Sequence, residues 1–375
     1  MKIRTLRNLV VALAVLGLAA WWSQRDERRP AEYATGQKAL PDLDAQALGT
    51  IELGSGTDRV SLVRSATGWV VASLWSYPAD FGRLSDLARQ LDDLKVGDVI
   101  RGGTDSLAEF GLASASNALP TLPVEVRLTY TNGLDAGRVV LGQPRAAGGP
   151  DMYGMPDSQY VRINEGPVLL ASPNVDEVPR RAEEWLDRSL LDFAGDSVLS
   201  MQVTHGDGVR RGVRRTESGF EGIDALAGQV ISADGANLWL GTWQGLNIQS
   251  ILDPASDQAA LGLEQSDEVE ARTRDGYTIR VKLGKPNERE ERPAVISVDW
   301  EAPPLAEGLD ETARAEAERA QQAAGERAMA LQKRVGPWIY LLPASKAKQL
   351  TLPQEQLVVA GTPVASPVPA GEPGP

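Results

Sequence analysis

The chain states one pattern twice, and any fold assigned to it has to accommodate that. Gly68-Trp69 returns as Gly219-Phe220, and Phe110-Gly111-Leu112 returns as Leu261-Gly262-Leu263. Val139-Val140-Leu141-Gly142-Gln143-Pro144 returns as Val281-Lys282-Leu283-Gly284-Lys285-Pro286. Alternating apolar and polar runs surround these matches, and period two is the mark of a half-buried strand. In the first copy, Thr50-Ile51-Glu52-Leu53 and the run 59–64 flank Gly54-Ser55-Gly56, the runs 124–130 and 137–141 flank Asn132-Gly133, and 160–163 and 167–170 flank Asn164-Glu165-Gly166. In the second copy, residues 199–204 match the first strand, Asp275-Gly276 stands for Asn132-Gly133, and Gly336-Pro337 stands for Gly166-Pro167. Asn-Gly predicts a type I′ turn, whose two central residues both need positive φ. Each copy is expected to carry one helix. Tyr77-Pro78-Ala79-Asp80 starts the first, striped by Leu84, Leu87, Leu91 and Leu94, and the second falls within 234–252.

The fold expected is therefore α+β: two tandem related domains, each mainly antiparallel sheet with one packed helix, behind an N-terminal membrane anchor. Boundaries fall at 1–24 for the anchor, 25–39 for a tether, 40–195 for the first repeat, 196–352 for the second and 353–375 for a Pro-rich tail. The tail has little to bury and is expected to be largely disordered. The offset between copies is 151 residues at Trp69/Phe220 and 170 at Gly166/Gly336, which places an insertion at 303–335. Arg314/Glu318, Glu311/Arg314 and Glu316/Arg319 stand at spacings that support an exposed helix. Its apolar residues are mostly Ala, so it reads as a solvated excursion or as a docking arm for a partner protein.

Lys2, Arg4 and Arg7 precede fourteen uncharged residues that end in Trp21-Trp22. An uncleaved signal anchor explains the two indoles, which favour a membrane interface, better than a cleaved peptide does. A large acidic body after so short a head places that body outside the cytoplasm. Residues 1–29 hold six Lys/Arg against two Asp/Glu, which leaves the rest of this net −13 chain at −17. Such a body repels phosphate backbones, so no nucleic-acid partner is expected. Cysteine is absent, which removes thiol catalysis, disulfides and thiolate metal sites.

The single histidine, His205, lies at a strand end and reads as a turn residue; alone it makes neither a common zinc site nor a serine triad. Glu183, Glu184 and Asp187 surround Trp185, an arrangement that could suit glycoside chemistry. At a junction between repeats it reads more simply as a buried Trp with capping acids. Asp253/Asp257 and Asp151/Asp157 lack calcium-loop spacing. Trp69 and Phe220 mark a core position, while Trp75, Trp239 and Trp243 are core residues or, alternatively, an indole platform for sugars. No catalytic, cofactor-binding or metal residue is assigned, no cofactor is expected, and the chain does not read as an enzyme.

The basic-apolar N-terminus, Gly68-Trp69-Val70-Val71, Tyr77-Pro78-Ala79-Asp80, Phe110-Gly111-Leu112, Val140-Leu141-Gly142-Gln143, Tyr160-Val161-Arg162 and Glu184-Trp185-Leu186-Asp187-Arg188 together resemble the bacterial domain of unknown function 4340 family. That resemblance implies a membrane-anchored envelope protein associated with ABC transporters of the gliding-motility auxiliary type, and it carries no site residue. The expected function is a non-enzymatic periplasmic accessory or scaffold protein. It would be held in the bacterial inner membrane by one pass and bound to ABC transporter components. The alternative is a glycan- or ligand-binding module using the cleft between the repeats.

Overall fold

The computed structural model describes residues 33–55, 58–100, 107–113, 123–145, 157–175, 178–308 and 310–359. The expected anchor and the last sixteen residues lie outside these ranges. Among the described residues no helix is long and apolar enough to cross a membrane. The chain is α+β and rich in antiparallel sheet, and it divides into two compact units, Met1–Trp185 and Leu186–Pro375.

The first unit contains β1 (Leu48–Ser55), β2 (Asp58–Ser65), β3 (Gly68–Val71), β4 (Tyr77–Pro78), α1 (Phe81–Asp93), β5 (Lys95–Val99), β6 (Val124–Tyr130), β7 (Asp135–Arg145), β8 (Ser158–Ile163) and β9 (Val168–Ser172). Its nine strands run β4-β3-β2-β1-β6-β7-β8-β9-β5. Most neighbours are hairpin partners, but β1–β6 and β9–β5 are joined across long stretches of chain. Period-two alternation sends Ile51, Leu53, Leu62, Val126, Leu128 and Val139 inward, and all are nearly inaccessible. Helix α1 starts at Asp80, whose carboxylate accepts the Arg83 amide at 3.0 Å, an N-cap. Its stripe of Leu84, Leu87 and Leu91 is buried and runs on into Leu94. Each such leucine contributes roughly 1.5–3 kcal/mol.

The second unit contains β10 (Ser189–Leu191), β11 (Val198–Thr204), β12 (Arg210–Thr216), β13 (Gly219–Asp224), α2 (Ala233–Leu240), β14 (Leu246–Asn247), β15 (Ser250–Leu252), β16 (Asp267–Thr273), β17 (Tyr277–Leu283), β18 (Arg292–Trp300), α3 (Glu311–Val335), β19 (Ile339–Leu342), α4 (Ala344–Leu350) and α5 (Gln354–Leu357). The main sheet runs β13-β12-β11-β16-β17-β18-β19-β15, while β10 and β14 form a separate ribbon. The first unit's order is reproduced step for step apart from β4. Even an irregularity in register recurs, at Leu48/Thr50 against β6 and at Val198/Ser200 against β16.

The matched tripeptides form the same lock in each unit. Leu112 donates to the Leu107 carbonyl at 2.8 Å, and Gln143 donates to the Phe110 carbonyl at 2.8 Å. Leu263 donates to Gln258 and Lys285 to Leu261, both at 2.9 Å. Gly111 and Gly262 take φ of 65° and 72°. The loop can sit this close only because Gly142 and Gly284 lack a side chain. A Cβ there would stand 2.4 Å from the Phe110 oxygen and 2.2 Å from the Leu261 oxygen.

Three expectations are corrected. The Asn132-Gly133 hairpin forms, but only Gly133 takes positive φ, at 81°. Its amide donates to Tyr130, whose own amide donates to Leu134, giving a three-residue loop in which glycine alone needs the left-handed region, in place of a type I′ turn. Tyr77-Pro78 is a short strand against β3, and the helix begins only at Phe81. The packed chain also extends beyond both expected limits. At one end Gly36 donates to the Val96 carbonyl and Ala39 is buried; at the other Leu357 is buried, and Ile231 bridges Val358.

Candidate functional site

The second unit departs from the first most clearly between β18 and β19, where α3 interrupts the hairpin. Asp310 caps α3 by accepting the Ala313 amide at 2.8 Å. None of the expected ion pairs at Arg314/Glu318, Glu311/Arg314 or Glu316/Arg319 is formed among the described residues, so tertiary contacts hold the helix in place. These contacts gather in its C-terminal half. Ala328 and Val335 are buried, the Val335 carbonyl accepts from the Tyr340 hydroxyl at 2.9 Å, and Arg334 donates to the Leu190 carbonyl at 2.6 Å.

The reason for this placement lies in β18. Strand β19 pairs with Arg292, Pro293 and Ala294, so residues 295–300 have a strand neighbour on the β17 side alone. An open sheet edge exposes unpaired amides and carbonyls. Helix α3 lies beside this edge, and the Gln332 side-chain oxygen accepts the Val298 amide at 2.6 Å. Trp300 packs over Gly325, where a Cβ would come within 3.0 Å of the indole, and anchors its Nε1 on the Asp275 carbonyl at 2.7 Å.

A groove of about 790 Å³ remains between strand and helix. Val298, Trp300, Ala328, Met329 and Pro337 give it an apolar wall, with Asp299 and Lys333 also lining it. Met329 is 68% exposed there, a long flexible thioether left in solvent. Such side chains adapt to varied apolar partners. The groove has the shape and chemistry to receive an extended apolar segment.

The other candidates resolve into local structure. Trp185 is buried with Nε1 on the Pro179 carbonyl at 3.0 Å, Glu184 pairs with Arg181 at 3.3 Å, and Asp187 accepts the Ser189 amide at 3.1 Å. Burial raises the Glu184 pKa, but hydrogen bonds at Arg181 outweigh it and hold the carboxyl below its usual range. Asp253 and Asp257 each accept the amide two residues on, as turn-forming aspartates do. Asp157 bonds the Ser158 hydroxyl, and Asp151 lies outside the described residues. No group of metal-ligating side chains forms among the described residues.

Trp239 and Trp243 are fully buried, so they are core and offer no platform; Trp75 is exposed. Trp69 and Phe220 lie on the core-facing side of their strands, two residues from buried Val71 and from Gly222, the partner of buried Val213. Both are partly buried, opposite Arg64 and Arg215, and the Arg215 guanidinium lies 4.8 Å from the Phe220 ring. These aromatics therefore close the margin of the core, where arginines cover them.

One polar cluster was not visible in the sequence. Asp267 accepts from Arg292 at 2.7 Å, lies 3.1 Å from His205 Nδ1, and takes the Gly206 amide at 3.3 Å. Burial raises its pKa, yet the Arg292 and His205 bonds outweigh burial and leave it lowered. Arg292 also donates to the Gly284 carbonyl at 2.7 Å. Gln159 makes the corresponding bond to the Gly142 carbonyl at 2.8 Å in the first unit. The cluster thus elaborates a bond that each unit makes to its lock, and ties the His205 turn to it. Only long-range pairing brings positions 205, 267 and 292 together, so no spacing announces them.

A family model described as Domain of unknown function (DUF4340) matches residues 69–266. The chain belongs to this family. No curated protein and no solved structure matches it. The matched range of this DUF4340 protein includes both tripeptide loops and ends before β16, so α3 and its groove lie outside the family's matched region.

Proposed function

We propose that this DUF4340 protein is a membrane-anchored, non-enzymatic accessory protein of the bacterial envelope. Its body stands in the periplasm and docks on membrane components of an ABC transport system. The groove beside α3 carries the reading: an apolar cleft at an open strand edge, with an exposed methionine, is suited to an extended segment of a partner protein. The basic-apolar head and the acidic body support the anchor and its orientation.

The body is a tandem of two related domains. The shared strand order, the shared register irregularity and the paired glycine locks support descent from one duplicated unit. On that reading α3 is an acquisition of the second copy, placed where the first has only a tight turn.

Photocrosslinking tests this function in cells. A photoreactive residue replacing Met329 in the full chain is expected to capture an ABC transporter membrane subunit, whereas one replacing Glu316 on the exposed end of α3 is not. Capture of no membrane protein at 329, together with binding of purified chain to envelope glycans, would replace the accessory role with a glycan-binding one.

A further inference from the structure

A second concavity lies on the outer sheet face of the first unit and has a volume of about 640 Å³. Arg59, Arg127, Arg138 and Arg162 line it, against Glu52 and Glu125. The lining carries two more arginines than carboxylates, a surplus of one positive charge once Glu165, which pairs with Arg138 and Arg162, is counted, in a chain of net charge −13. Leu107, Leu112, Pro123 and Val140 form its apolar part.

The arginines are positioned before any ligand arrives. Glu125 accepts Arg127 Nε at 2.5 Å and Arg138 Nε at 3.0 Å, and Glu165 takes Arg138 at 2.8 Å and Arg162 at 3.2 Å. Arg162 Nε also donates to the Gly166 carbonyl at 2.9 Å. These bonds fix the guanidinium planes and use only part of their five N–H groups each. Arg127 keeps nearly half of its side chain exposed, and Arg59 forms no ion pair among the described residues.

The second unit supplies an internal control. Val126 and Ile163 both pair with Val139, as Val269 and Ile296 both pair with Val281. Arg127 therefore corresponds to Glu270, and Arg162 to Val295. Leu53 and Val203 likewise relate Glu52 to Gln202 and Arg59 to Arg210. The same sheet face in the same strand order carries no surplus of positive charge. The arginine set is thus not a requirement of the fold.

We propose that this concavity binds an organic phosphate monoester, with the anionic head among Arg59, Arg127 and Arg138 and an apolar group against Leu107, Leu112, Pro123 and Val140. Guanidinium forks match phosphate oxygens, and a monoester near neutral pH carries about −1.5 to −2, opposite in sign to the local surplus. The source is either a soluble phosphoester or a lipid headgroup. This site is independent of the α3 groove.

Titration calorimetry on the full chain in detergent tests it with hexyl phosphate, inorganic phosphate and short-chain phosphatidic acid. Hexyl phosphate is expected to bind more tightly than inorganic phosphate, because only the ester reaches the apolar part. Arg127→Glu, which copies the second unit, and Arg59→Gln should each weaken binding about tenfold or more, with melting temperature retained. Competition by phosphatidic acid assigns a headgroup, and hexyl phosphate binding without competition assigns a soluble ester. Absence of binding by the wild-type chain, or equal binding by folded Arg127→Glu, overturns the proposal.

Discussion

Asp267 takes a bond from a guanidinium and one from a backbone amide, with an imidazole nitrogen at hydrogen-bond distance, and its side chain remains 20% exposed. Its folded-state pKa is lowered, so the stability it contributes is present above the ordinary carboxylate value, about 3.9, and is lost as pH falls through the lowered value. Asp267→Asn leaves the Arg292 guanidinium, 19% exposed, without its charge partner. Loss of that pair is expected to cost ~1–3 kcal/mol in urea unfolding at neutral pH, less than for a fully buried pair because water still reaches both groups. The gap between variant and wild type should close in acid, where the native carboxyl is itself protonated. A gap that stayed constant with pH would show that Asp267 acts through packing alone.

At the scale of elements, α3 has two parts. Its first ten residues, 311–320, include none that is buried, while Ala328 and Gln332 stand against the β18 edge and Val335 is buried. Deleting 311–320 is expected to shift the melting temperature little. Replacing 303–335 by Asn-Glu, the first unit's turn, should cost ~2–4 kcal/mol in chemical unfolding by uncovering that edge. Equal stability of the two deletions would mean that the helix shields nothing.

Much of this organisation is legible in sequence because it is local. Alternation announces β1, β2, β6 and β7, the leucine stripe announces α1, and an offset change announces the insertion. What escaped depends on distant partners. No local signal returns β5 to β9 or β15 to β19, and none shows that position 298 needs a side-chain acceptor from position 332. Asn132-Gly133 marked a hairpin correctly yet not its turn type, since a single left-handed glycine satisfies the observed bonds. Trp69 and Phe220 do stand on the core-facing side of their strands, as aromatic character suggests, but at its margin, where each is only partly buried opposite an arginine. The candidate groove itself was legible only as an insertion of undecided role.

Across the whole molecule, agreement between the units is confined to what folding needs: strand order, the register irregularity, and a loop seated on a glycine. Their differences supply the groove at α3 and the arginine concavity, and both proposals of function rest there. The central claim is that one architecture is used twice, each time with its own lock. Hydrogen–deuterium exchange on the full chain carrying Gly142→Ala or Gly284→Ala tests this most directly. Each Cβ would meet a backbone oxygen that cannot move without displacing its loop, at an expected cost of ~1–3 kcal/mol. The account predicts that Gly142→Ala lowers protection at Leu112 and Gln143, and that Gly284→Ala lowers it at Leu263 and Lys285, each leaving the other unit's lock protected. Unchanged protection at both locks, or identical loss across both units from either substitution, would contradict it.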